Sequence, residues 1–324
     1  MILGHDKAVA AFDSAWRAGT LHHAWLLAGP KGVGKATFAR AAATRVLADA
    51  AGPAVDLPGL ATPAEHPAAR LVAAGSHPDM RWLERLENIK TGALARNITV
   101  DQVRGLAELF DLTPSMSPWR AVVIDAADDM EKSAANALLK MLEEPPPNCV
   151  FLLVSCAPGR LLPTIRSRCR TLNFQPLGDD VMASILETQM PALAVPERSR
   201  IIAKAGGSVG RAMAFAVLDL SRLQDAAARI LRDGDPTNAR RSDLAIELGR
   251  KGAAERYAAF LDMVPTLIAA QARGLKGRQL EKALDAYAQA RELAALAPRL
   301  SLDPASTVFQ LGGMLASVAA RPIP

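Results

Sequence analysis

Gly29-Pro30-Lys31-Gly32-Val33-Gly34-Lys35 has the residue types and spacing of a loop that holds phosphate. Its glycines let the backbone curl so that successive amides point inward at anionic oxygens. The N-terminus of a following helix adds partial positive charge, and Lys35 is long enough to reach the outer phosphates. Residues 24–27 form a short apolar run that reads as a strand before the loop, and residues 37–46 read as a helix after it. That strand–loop–helix context is what such a loop requires.

The next positions weaken the chemistry. After Lys35 a Ser or Thr hydroxyl should ligate magnesium, but the residue is Ala36, and a methyl group cannot ligate a hard cation. Thr37 carries a hydroxyl one residue later, rotated by about 100° and raised ~1.5 Å along a helix. A second apolar run, 121–124, ends in Asp125, suited to hold magnesium through water. Where a carboxylate would orient the attacking water there is Ala126. Asp128 and Asp129 are expected to face solvent at the start of the next helix. Phosphate binding and hydrolysis therefore separate. ATP or ADP is expected to be held weakly or not at all, through Gly29, Gly32, Gly34, Lys35, Thr37 and Asp125, and no metal site is expected.

The elements that must position these residues follow from the apolar pattern. Residues 24–27, 121–124 and 150–154 are short, almost wholly apolar runs suited to strands buried on both faces. They alternate with helical patterns up to about residue 175, which indicates a parallel sheet covered by helices. Beyond Pro176 only helical spacing remains, at 181–186, 197–205, 211–231, 242–249, 254–273, 275–296 and 304–320, with a turn at Asp233-Gly234-Asp235-Pro236. The expected organisation is an α/β domain over 1–175, a small helical domain over 176–232 and a helical bundle over 233–324. Residues 52–78, rich in Pro, Ala and Gly, read as a loop-rich insertion.

Composition narrows the class. Half of the 324 residues are hydrophobic and 22% are charged, as in a soluble globular protein. The net charge of +5 is a weak field over so long a chain. Nothing resembles a leader or a membrane span, so the cytoplasm is the expected compartment. Cys149, Cys156 and Cys169 show no paired spacing and read as reduced thiols.

With these residues in view, the first 215 positions resemble the AAA+ subunits of bacterial replicative clamp loaders, part of the DNA polymerase III holoenzyme, a DNA-directed DNA polymerase and thus a nucleotidyltransferase complex. The likeness is carried by Ile2-Leu3-Gly4-His5, His23-Ala24-Trp25-Leu26, Ile98-Thr99-Val100-Asp101-Gln102-Val103-Arg104, and above all 135–146, Ala-Asn-Ala-Leu-Leu-Lys-Met-Leu-Glu-Glu-Pro-Pro. Ser167-Arg168-Cys169 is similar to the family's Ser-Arg-Cys motif, which implies that Arg168 projects toward ATP held by a neighbouring subunit. A guanidinium offers a rigid fork of donors for phosphate oxygens and need not come from the chain that cradles them. Ser155 matches the sensor 1 position, and Gly210-Arg211 matches sensor 2.

The resemblance implies an AAA+ P-loop domain, a helical lid and a C-terminal collar through which subunits form a hetero-oligomer. Partners would be the motor ATPase and delta subunits, with the sliding clamp and primed DNA engaged through the complex. Ala36 and Ala126 point to a stator and not to a motor within the family. Where the family commonly carries a four-cysteine zinc module, this chain has no cysteine, so no zinc is expected; His66 and His77 read as loop surface. Two alternatives remain at this point: an ATP-hydrolysing motor subunit, and a P-loop small-molecule kinase.

Overall fold

The structure, a computed structural model, describes residues 2–87, 94–218 and 220–319. The first elements are α1 (Asp6–Arg17), β1 (Ala24–Ala28), α2 (Lys35–Ala51), α3 (Pro67–Ala73) and β2 (Met80–Leu83). They are followed by α4 (Val100–Arg104), α5 (Leu106–Asp111), β3 (Arg120–Asp125), α6 (Lys132–Glu143), β4 (Cys149–Ser155), α7 (Pro163–Ser167) and β5 (Arg170–Asn173). The five strands form one parallel sheet in the order β2-β3-β4-β1-β5.

Both faces of this sheet are covered, which is why its central strands are apolar throughout. Side chains alternate across a strand. Trp25, Leu27, Val123 and Leu152 therefore pack with Phe12, Phe38 and Val46 on the α1–α2 side. Leu26, Val122, Ile124, Phe151 and Leu153 pack with Ile98, Leu106, Leu138 and Ile165 on the other. The three expected strands are present. Apolar patterning missed β2 and β5: Arg81 interrupts the first, and the second shows only Leu172 to the core among exposed neighbours.

Local chemistry sets several ends. Thr99 and Gln102 form a reciprocal capping box at α4, with the Thr99 side chain accepting from the Gln102 amide and the Gln102 side chain accepting from the Thr99 amide. The 98–104 motif is thus a helix start. Ile98 just before it is buried and exchanges backbone hydrogen bonds with Asp129 and Glu131.

The remaining elements are helical: α8 (Asp179–Gln189), α9 (Val195–Ala205), α10 (Val209–Leu218), α11 (Leu220–Asp233), α12 (Ala239–Leu248), α13 (Ala254–Ala272), α14 (Gly277–Leu300) and α15 (Pro304–Ser317). An α/β part followed by helices is the expected class. The helix read over 211–231 is matched by the described residues of α10 and α11, and the last helix ends at Ser317, short of the expected 320, which lies outside the described residues. The chain forms two compact units, Met1–Gly210 and Arg211–Pro324. The expected boundary at 176 falls inside the first and that at 233 inside the second. Within the second unit, α12 meets α15 where Gly312 lies against Arg241; a Cβ at 312 would stand 2.6 Å from the Arg241 Cβ. Among the described residues, no helix is long and apolar enough to cross a membrane.

Candidate functional site

Three neighbouring strands in register bring the loop chemistry together. Ala28, the last residue of β1, pairs with Ser155, the last of β4, and Val154 pairs with Asp125, the last of β3. The phosphate loop, Ser155 and Asp125 therefore share the carboxyl edge of the sheet, where open α/β sheets bind ligands. Two glycines are required there by close approach. A Cβ on Gly29 would lie 2.3 Å from the Phe174 carbonyl oxygen, and one on Gly32, at φ +77°, would lie 2.4 Å from the Ser208 Oγ.

The loop is bound by its own chain on several sides. Lys35 is buried, and its Nζ donates to the carbonyls of Gly29 at 2.7 Å and Pro30 at 2.5 Å and lies 3.4 Å from the Cys156 Sγ. The Ser208 hydroxyl donates to the Lys31 carbonyl at 3.0 Å, and the Gly210 amide donates to the Gly32 carbonyl at 3.0 Å. His5, 7% exposed, donates from Nε2 to the Val33 carbonyl at 2.7 Å and meets the Phe174 ring edge-on. A carbonyl only accepts, so this bond fixes the Nε2–H form of the contact. Sequence reasoning gave His5 and Ser208 no role. The Gly206-Gly207-Ser208-Val209-Gly210 run was the available signal for the second.

The magnesium chemistry does not fit. Ala36 offers no oxygen, and the Ser155 hydroxyl donates to Asp128 Oδ1 at 2.7 Å. Asp125 is half-buried, and burial, then the Glu84 charge, raises its carboxyl above the usual range, opposed by Lys35. Thr37 is exposed and lines a different cavity, of about 540 Å³, with Arg40, Ala41 and Thr44.

Asp128 corrects an expectation. It lies in a single 3-10 turn at Ala127–Asp129, ahead of α6, and is turned inward. Its carboxylate accepts from Ser155 Oγ and from the amides of Cys156 at 2.5 Å and Ala157 at 3.2 Å. It ties the β3 end to the β4 end and is not a solvent-facing spare base. Asp129 is half-exposed and pairs with Arg85 at 3.3 Å; burial is the main cause of its raised carboxyl.

Arg168 caps the end of α7. Its Nη2 pairs with Glu143 Oε1 at 2.8 Å and its Nη1 donates to the Thr164 carbonyl at 3.1 Å, while its side chain remains 35% exposed. Glu143 belongs to the 135–146 motif, so two of the sequence's most distinctive stretches meet at this ion pair. Arg211 lies on α10 in the second unit. The thiols are quiet: burial pushes Cys149 and Cys169 up to about 12 and raises Cys156, so thiolate is scarce at neutral pH.

A family model described as DNA polymerase III, delta subunit, matches residues 4–178, more than half of the chain. The chain belongs to the DNA polymerase III delta subunit family. Among its relatives is the DNA polymerase III subunit delta' of Pseudomonas aeruginosa, 43% identical over 150 residues, 45% of this chain and 41% of that protein. The subunit delta' of Bacillus subtilis is 33% identical over 194 residues, 60% of this chain and 53% of that protein. The subunit gamma/tau of Mycobacterium tuberculosis is 31% identical over 185 residues, 57% of this chain and 30% of that protein. The matched stretches thus span less than two thirds of each relative's own length.

The delta-family match also covers residues 52–78, whose structure differs from the loop-surface expectation. This segment contains α3, and His66 caps that helix, accepting from the Ala68 amide. His77 is buried, 4% exposed, and its Nδ1 accepts from the Asp79 amide. Burial lowers its pKa and keeps the ring neutral. The Asp79 carboxylate in turn accepts from the amides of Ser115, Met116 and Ser117. His77-Pro78-Asp79 is therefore a structural clasp and not a loop surface. Among the described residues, no group of three or more His, Cys, Asp or Glu side chains is placed to hold a metal ion. EDTA dialysis of untagged protein is expected to leave its thermal unfolding midpoint unchanged. A fall in the midpoint, reversed by zinc, would contradict this.

Proposed function

We propose that the chain is a stator subunit of the DNA polymerase III clamp loader, one that does not hydrolyse ATP and presents Arg168 to ATP held by an adjacent motor subunit. In this role it joins a hetero-oligomer with the motor and delta subunits and supports loading of the sliding clamp onto primed DNA. The observation that carries the reading is the pair of missing oxygens, at Ala36 and Ala126, in a loop whose framework is otherwise complete. The Lys35 Nζ is engaged by the Gly29 and Pro30 carbonyls, so nucleotide must displace bonds already made. This favours ATP or ADP binding weakly or not at all.

The gamma/tau relative keeps a motor reading in contention, and turnover separates the two. The isolated chain is expected to hydrolyse ATP no faster than background at millimolar magnesium, and Ala36→Thr is expected to restore nothing, because the water-orienting carboxylate is still missing. Magnesium-dependent multiple turnover that Lys35→Ala abolishes would establish the motor. Co-elution with clamp-loader subunits on size exclusion tests the assembly role separately.

A further inference from the structure

The second unit holds a cavity of about 540 Å³ that plays no part in the site described above. It is lined from three helices and a loop: Arg222 on α11, Asp243, Ile246 and Glu247 on α12, Arg250 and Lys251 in the following loop, and Arg256 on α13. Arg256 and Glu247 neutralise one another across 2.5 Å. That leaves three exposed cations, Arg222, Arg250 and Lys251, against one exposed carboxylate, Asp243. Among the described residues, none of these three cationic side chains makes an ion pair or hydrogen bond.

We propose that this pocket holds the phosphodiester backbone of a DNA strand. Arg222 on one helix and Arg250 with Lys251 on a loop suit a linear polyanion, whose evenly spaced charges can meet several cations at once. Two of the three are arginines, whose planar forks fit phosphate oxygens. No aromatic side chain lines the pocket, so bases have no stacking platform and recognition is independent of sequence. The choice of DNA as the polyanion rests on membership of a DNA polymerase III family, and the pocket itself needs neither Arg168 nor a neighbouring subunit.

The test is fluorescence anisotropy of the full-length chain with labelled oligothymidylate and with a labelled duplex, over a salt series. Three phosphate contacts on single strands contribute about 0.7 each to the log–log salt slope. Arg222→Ala/Arg250→Ala/Lys251→Ala is therefore expected to lower the slope by about 2 and the affinity at ~0.1 M salt by roughly 100-fold. Arg222→Glu alone is expected to weaken binding in the same direction, and Arg168→Ala to bind as the wild type does. Wild-type affinity and slope in the triple variant would overturn the proposal. So would failure of the wild-type chain to bind either DNA at ~0.05 M salt. Polyglutamate of matched charge displacing the DNA at equal concentration would assign the pocket to an acidic peptide and overturn it too. Size exclusion with clamp-loader subunits reads the stator proposal independently, so either can fail alone.

Discussion

Arg168→Ala in the assembled complex is expected to depress clamp- and DNA-stimulated ATP turnover while leaving assembly intact. A guanidinium that meets a neighbour's ATP stabilises charge developing in the transition state, worth on the order of 10³–10⁵ in rate at that one site. This corresponds to ~4–7 kcal/mol. The other ATP sites of a multi-subunit loader continue to turn over, so total turnover falls by less. Stability should hardly change. The Arg168–Glu143 pair is 35% and 48% exposed, and such pairs contribute about 0–1 kcal/mol.

The Glu143 contact sharpens that experiment. Glu143 now occupies one end of the Arg168 fork, so a neighbour's phosphate must share or replace it. Glu143→Gln removes the competing charge and keeps one accepting oxygen, and it should leave stimulated turnover at or above wild type. Arg168→Lys should fail nearly as badly as alanine, since an ammonium is a point charge without a planar fork. The measurement is size exclusion beside stimulated ATPase on the same mutant complex. A complex with Arg168→Ala that assembles and hydrolyses at the wild-type rate shows that Arg168 is an ordinary surface arginine.

The parts of this molecule that were legible in the sequence are those written in a repeating or spaced pattern. The three central strands are continuous apolar runs because both sheet faces are covered, and the phosphate loop is defined by glycine spacing. What escaped depends on long-range partners. β5 is an edge strand with only Leu172 buried, so it carries little apolar signal. Asp128 is one acidic residue among several in sequence, and only the end of β4, brought alongside β3, gives it three donors. His77 looked like surface because Pro and Gly surround it; its burial comes from the clasp formed with Asp79 and the 115–117 amides. Ala36 and Ala126 were legible as losses because the motif states what belongs there.

Arg45→Met is expected to cost the fold about 3–5 kcal/mol, although Arg45 lies in no motif and touches no part of the phosphate loop. Its side chain is 2% exposed, and its guanidinium holds the start of the 52–78 segment to α2. Nε donates to Asp49 at 2.6 Å, Nη2 to the Val55 carbonyl at 2.8 Å, and Nη1 to the carbonyls of Leu57 and Gly59 at 2.9 Å and of Ala61 at 3.1 Å. Methionine fills much of the volume but leaves four carbonyls and a carboxylate without this donor, and unmade buried hydrogen bonds cost more than made ones contribute. At ~2–4 °C per kcal/mol for a unit of this size, the unfolding midpoint should fall by about 6–20 °C. The pH dependence identifies the cause. Burial alone would raise the Asp49 carboxyl, but the Arg45 hydrogen bond, the Val55 amide and the Trp16 indole together hold it below its ordinary value of 3.8. A depressed carboxyl contributes stability that is present above about 4 and is lost as pH falls through the folded value. In the variant the Arg45 contribution is gone and burial regains weight, so an ionised Asp49 becomes the penalty. The difference between wild type and variant should therefore be large at pH ~7 and shrink toward pH ~3.5, where the carboxyl is protonated in the variant. Arg45→Lys keeps the charge but reaches fewer of the five acceptors and should fall between the two. A stability loss below ~1 kcal/mol, or one equal at both pH values, would show that the segment is held by its own apolar packing through Val55 and Leu60 and not by the guanidinium.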